Sequence, residues 1–175
     1  MRDYNFPWAI AGGWAIDLFI GEVTRTHDDI EIMIFRSDQL AIQQYLSGWK
    51  FYKVQGGKIT TWKQSEVMVP PVHETYAERE NEKIEILLNE TDGVNWIYRR
   101  DTRVSRELSK AIIVSDAGMP ILSPEIALLY KSKNPKQKDE QDFQNTYPHM
   151  NLDQKHWFRE ALKILYVDHS WISLN

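Results

Sequence analysis

The chain has no cysteine. That excludes a disulfide framework, thiolate metal sites and a cysteine nucleophile. It also lacks any apolar run near the ~20 residues a membrane span needs, and its opening MRDYNFPW has no signal-peptide pattern. A cytoplasmic protein with no membrane partner is the simplest expectation. There is no basic excess: 21 Lys and Arg stand against 25 Asp and Glu, a formal charge of −4. Nucleic-acid binders usually carry a basic face or arm. The longest basic cluster here, YKSKNPKQK at 130–138, runs directly into the acidic DEQD. The balance disfavours a nucleic-acid partner and tolerates a cationic small substrate. The 175 residues contain no internal repeat and no low-complexity tract, and the length suits one domain or one domain with an appendage.

What is present suffices for a core. Hydrophobic residues make up 42%, with seven Trp and eight Tyr. Most of these aromatics are expected in packing, with some available to line a pocket for a flat or sugar-like ligand. Trp8 to Gly12 reads as a short strand ending in glycine, and residues 14–21 as a helix closed by Gly21. Residues 29–35 alternate as a strand. A helix follows with Ser37 as N-cap, an Ala41/Ile42/Tyr45/Leu46 stripe and Gly48 as its stop. Gly56-Gly57 marks a hairpin. Residues 69–81, with two prolines and many charges, read as a loop or short helix. KIEILLNE is a strand, NWIYRRDTRV the strand returning from it, and AIIVS a further short strand. The pattern then turns helical, with Ser123 as N-cap and Pro124 at the first position of one helix, then two more. The expected class is α+β, a core over 1–120 and a helical appendage over 121–175.

The informative stretch is AGGWAIDLFIGEVTRTHDDIEIMIF, 11–35. Ile30, Ile32 and Ile34 fall on one face of the strand, and Asp29, Glu31, Met33 and Phe35 on the other. A buried carboxylate must be paired, protonated or bound to a cation. Two of them, two residues apart on one face, lie roughly 7 Å apart at Cα and can share one cation. Mg²⁺ takes a few carboxylate oxygens together with phosphate oxygens and water. A strand with one solvated face fits the alternation too, but Met33 and Phe35 share the acid face. Gly12-Gly13, between strand and helix, permits close approach of a ligand to helix-start N–H groups that suit phosphate; a simple tight turn is the plainer alternative.

The order strand, Gly-Gly, helix, basic loop, Asp-x-Glu on the next strand resembles the nucleotidyltransferase superfamily with a polymerase-beta-like palm. GGWAIDLFIG, TRTHDDIEI, W…IYRR, SPEIALLYKSK and KDEQDF together resemble the small aminoglycoside and lincosamide adenylyltransferase-like proteins. The resemblance implies a mixed-sheet palm with flanking helices. It implies Mg²⁺ as cofactor, ATP or another nucleoside triphosphate as co-substrate, and transfer of a nucleoside monophosphate to a hydroxyl of a small antibiotic-like acceptor. Asp29 and Glu31 become metal ligands and catalytic residues. A third carboxylate on a neighbouring strand, with Glu85 preferred over Glu90 and Glu66, would bind metal and accept the hydroxyl proton. Gly12, Gly13, Arg25, His27, Lys131 and Lys138 become nucleotide contacts, and Asp17 a support for the Arg25 loop. The bland readings stand beside these: Arg25 and His27 neutralising nearby acids, and Lys138 pairing with Asp142 four residues on. Asp139 and Asp142 could hold the lysines or attract a cationic substrate. Arg99-Arg100 is expected at a strand end near the pocket mouth. His73, His149, His156 and His169 join no constellation. Glu31 and Glu85 stand where such proteins often carry Asp. The alternatives are a toxin-type nucleotidyltransferase acting on tRNA, and a catalytically weak nucleotide-binding module of the same fold.

Overall fold

The structure is a computed structural model and describes residues 1–173. Strand β1 (Trp8–Ile10) leads through Ala11 into helix α1 (Gly12–Ile20), and β2 (Glu31–Phe35) returns antiparallel to β1. Helix α2 (Gln39–Tyr45) and the hairpin β3 (Lys50–Gln55) and β4 (Lys58–Thr61) follow, then β5 (Glu74–Arg79) and β6 (Glu82–Thr91). Next come β7 (Asn95–Ile97), β8 (Ser105–Glu107), α3 (Leu108–Ala111), β9 (Ile112–Val114) and β10 (Pro120–Leu122). Helices α4 (Pro124–Lys131), α5 (Gln137–Thr146) and α6 (Leu152–Leu165) end the described chain, apart from 3-10 turns. The sheet order is β4-β3-β5-β6-β2-β1-β10-β9, with β7 and β8 extending from β6. β2 runs parallel to β6 and β1 parallel to β10; the remaining pairs are antiparallel, so the sheet is mixed.

The alternation in β2 divides the core as its period requires. Ile32 and Ile34 join Ile86, Leu88 and Ile42 under α2 on one face. Met33 and Phe35 join Ile16, Leu128, Phe143 and Phe158 on the other, where α1, α4, α5 and α6 lie. Burying one such side chain is worth about 1.5–3 kcal/mol. The second cluster draws on Ala9, Ile16 and Met33 as well as on the C-terminal helices, and no gap in it falls near residue 120.

Several local expectations need correction. Residues 74–79 are not loop or helix but β5, between β3 and β6. Its inward residues are Thr75 and Ala77, fully buried but too weakly apolar to announce a strand. Residues 95–104 do not form one returning strand. Pairing with β6 stops after Ile97, and Tyr98–Val104 closes a tight loop in which Tyr98 N donates to Val104 O at 2.9 Å. Ser37 lies inside a 3-10 turn and caps nothing; α2 ends at Tyr45, three residues before Gly48. Helix α1 begins at Gly12, two residues earlier than the apolar pattern suggested. Among the described residues no helix is long and apolar enough to cross a membrane.

Candidate active site

Glu31 and Glu85 sit side by side. They are Cα partners in the parallel β2–β6 pair, and Tyr76 of β5 stands opposite Glu85. The next row on this face is Met33, Leu87 and Glu74, and the Tyr76 hydroxyl donates to Glu74. Backbone bonds fix the register at this end: Ala11 N donates to Glu31 O at 2.8 Å, and Glu85 N to Ile30 O at 2.9 Å. Gly12, at φ +60°, leaves room for the Glu31 carboxylate; a Cβ there would fall 1.5 Å from Glu31 Oε2. A side chain at this position would carry both a left-handed backbone and a collision.

Burial and the charge of Asp29 raise the Glu31 pKa, while Lys131, Lys138 and Arg25 pull it down. Burial and the charges of Glu31, Glu74 and Asp29 push Glu85 up to about 8. These carboxylates repel one another across a small space, an arrangement that a cation relieves. Asp29 is exposed and precedes the first residue of β2. The expected three-carboxylate set is therefore a Glu31–Glu85 pair with Asp29 at its rim. Among the described residues no group of three His, Asp or Glu side chains is gathered tightly enough to hold a metal ion. The donor chemistry nonetheless suits a hard dication completed by phosphate and water oxygens.

The loop before β2 is pinned from two sides. Asp17, buried on α1, accepts from Thr24 N at 3.2 Å and Thr24 Oγ1 at 2.7 Å, and its Oδ2 lies 2.5 Å from His27 Nε2. Arg25 donates from Nε and Nη2 to Asp142 at 2.8 and 2.9 Å, a two-pronged bond that raises its pKa. Lys131 Nζ is 2.9 Å from Asp142 and 3.5 Å from Asp139. Both loop side chains crowd Gly13: a Cβ there would meet His27 Nδ1 at 2.3 Å and Arg25 Nη2 at 2.6 Å. Ala11 supplies no side-chain cap to α1, so the first N–H groups of the helix remain free for an anion. The Lys138–Asp142 pair expected from helical spacing does not form, because Asp142 faces inward to Arg25 and Lys131.

A cavity of about 360 Å³ opens on these groups. Gly12, Glu31, Glu74 and Glu85 line its sheet side; Lys131, Lys133, Lys136 and Lys138 line its helical side. Of the expected site residues, Gly12, Glu31, Glu85, Lys131 and Lys138 reach this wall. Arg25, His27, Gly13 and Asp29 are not in its lining; Arg25 and His27 lie against Gly13, the residue after Gly12. The rival acids are engaged elsewhere, Glu90 with Arg36 and Glu66 with Lys53. Sequence reading missed His73, Glu74 and Tyr130, which also line the cavity. Glu74 comes into view only once β5 is known to pair with β6, where it stands opposite Leu87, one row from Glu85. A second cavity, of about 390 Å³ beside α2 and β3, has no carboxylate in its lining.

This fold is that of antibiotic-modifying nucleotidyltransferases. The chain resembles the lincomycin-bound lincosamide adenylyltransferase LnuA at 19% identity and TM-score 0.55, covering 82% of this chain and 87% of that one. It resembles ANT(2")-Ia, solved with adenylyl-2"-tobramycin, at 16% identity and TM-score 0.57, covering 94% and 91%. The sequence model of the aminoglycoside-2''-adenylyltransferases matches residues 1–146, and the chain belongs to that family. A 2''-aminoglycoside nucleotidyltransferase of Escherichia coli is 47% identical over 47 residues, 25% of this chain and 27% of that protein. A Klebsiella pneumoniae protein of the same description is 61% identical over 28 residues, 16% of each. The chain thus aligns with about a quarter or less of the length of these curated relatives.

Proposed function

We propose that the protein transfers AMP from ATP to a hydroxyl of a cationic, aminoglycoside-like small molecule, with Mg²⁺ as cofactor. The observation that carries this reading is the Glu31–Glu85 pair beside the Gly12 turn, facing lysines across one cavity. The two walls have opposite charge. The lysine wall and the uncapped start of α1 suit a triphosphate. The Glu74, Glu85 and Asp29 side suits an acceptor bearing ammonium groups. Family membership and the antibiotic ligands of LnuA and ANT(2")-Ia support the same chemistry.

The Glu31–Glu85 pair, completed by phosphate and water oxygens, would hold the cation, which when bound neutralises phosphate charge and eases loss of the acceptor proton. The chain's own residues do the rest. Glu85 would take the hydroxyl proton; burial and its carboxylate neighbours favour its protonated form, and beside the bound cation it would return to the ionised form that can accept. The acceptor oxygen then bonds to the α-phosphorus, the bond from that phosphorus to the bridging oxygen breaks, and pyrophosphate leaves. Gly12 lets the nucleotide phosphates approach the backbone closely, and Arg25, held by Asp142, stays turned toward the α1 start.

The test is incubation with α-labelled ATP, Mg²⁺ and a panel of aminoglycosides, lincosamides and tRNA. Label on an aminoglycoside with matching pyrophosphate release is the expected result. Label on tRNA alone, or ATP binding with no pyrophosphate released, overturns the reading.

A further inference from the structure

The cavity's cations differ in how their charge is already satisfied. Lys131 is neutralised by Asp142 and Asp139. Arg100 is anchored, donating to Tyr130 O at 2.9 Å and Tyr98 Oη at 3.3 Å. Lys133, Lys136 and Lys138 are exposed on mobile stems in water. Arg99 is the exception. Its side chain is half-buried in the cavity wall, yet among the described residues it makes no hydrogen bond and no ion pair. Its guanidinium lies over the face of Tyr130, 5.5 Å from guanidinium carbon to ring centre. Burial and Arg100 lower its pKa, and Glu74 is the carboxylate that acts on it from a distance. Nearby His73 is also lowered by burial and by the charges of Arg99 and Arg100. Two guanidinium groups therefore stand at this corner, and no carboxylate is in contact with that of Arg99 among the described residues.

Taking a guanidinium out of water without a partner is costly. Tyr130 returns part of that cost, and the planar fork remains open toward the cavity with its donors unspent. We propose that Arg99 is a polyphosphate-binding residue of this cavity, gripping the β- and γ-phosphates of the nucleotide and the pyrophosphate that leaves. The proposal deepens the adenylyltransferase reading and takes its choice of anion from it. Arg99 sits on the loop after β7, on the wall formed with α4, and Lys131 and the α1 start lie around the same cavity. A triphosphate entering between these groups finds in Arg99 a half-buried cation, already held in place, whose donors are unspent.

The test measures inorganic tripolyphosphate binding by calorimetry, and steady-state kinetics, on the whole chain. Arg99→Gln is expected to weaken tripolyphosphate binding on the order of tenfold, the value of a charge-assisted bond, and to raise the KM for ATP and the inhibition constant of pyrophosphate in parallel. The acceptor KM should stay within about twofold. Arg99→Lys keeps the charge and the packing stem and should recover part of the affinity. Circular dichroism melts check that both variants fold. Tripolyphosphate affinity unchanged in both variants, or an effect confined to the acceptor KM, overturns the proposal. The two readings fail separately: if the wild type labels no aminoglycoside but loses tripolyphosphate with Arg99→Gln, the acceptor assignment falls and the anion site stands.

Discussion

A carboxylate flanked by other carboxylates gives up its proton late. Glu85 is pushed up to about 8 by burial and by Glu31, Glu74 and Asp29, against an ordinary value of 4.5. Between these two values the folded chain holds a proton that the unfolded chain has released, so stability falls as pH rises through the window. In divalent-free buffer the wild type should lose thermal stability from pH 5 to pH 8. Glu85→Gln should fall less steeply and melt about 2–4 °C higher at pH 8, the shift about 1 kcal/mol gives at this length; half-exposure of Glu85 screens the rest. Turnover should fall by about 10²-fold or more. Thermal scans at pH 5, 6.5 and 8 decide the matter, and equal slopes for the two proteins would show that Glu85 does not carry the titration. The sequence offers this residue as a candidate through its place between Ile84 and Ile86. It does not offer Glu74, one row away, since Thr75 and Ala77 give β5 no alternation to read.

At the level of elements, the basic loop and α5 meet through one side chain. Asp142, 1% exposed, receives Arg25 and Lys131 together. The acid side of that arrangement lies on α5, 117 residues from Arg25. Four-residue spacing nominated Lys138 as the partner, but Lys138 lies exposed on the cavity side of the helix while Asp142 faces α1 and α4. Replacing Asp142 by Asn keeps the shape and removes the buried charge that two partly buried cations share. It should cost roughly 3 kcal/mol, as breaking a buried ion pair does. It should also raise the KM for ATP more than that for the acceptor, because Arg25 and Lys131 lose their anchor. Urea denaturation with kinetics in both substrates checks this; unchanged stability would place the pair among the surface bridges that contribute little.

For the molecule as a whole, the change of character at residue 120 is a change of secondary structure, and the apolar cluster spans it. Ala9, Ile16 and Met33 pack with Leu128, Phe143, Phe158 and Trp171, and β10, at Pro120–Leu122, is the parallel neighbour of β1. A fragment of residues 1–120 should therefore lack a cooperative melt and show collapsed, poorly dispersed amide signals. A sharp two-state transition in that fragment would mean that the sheet with α1 and α2 is self-sufficient. The helical segment also supplies one wall of the cavity, so the charge opposition between sheet acids and tail lysines belongs to the entire chain.

The sequence by itself determined what acts over a few residues: the Gly12-Gly13 bend, the two-residue period that sends Met33 and Glu31 to the same face, the hairpin at Gly56-Gly57, and the three C-terminal helices. Turn chemistry and side-chain periodicity are local, and they survive without knowledge of the rest of the chain. The tertiary structure alone decided which charges meet. Arg25 with Asp142, Glu31 beside Glu85, and Arg99 left facing a cavity depend on which surfaces lose water together, and that is fixed only when distant segments pack.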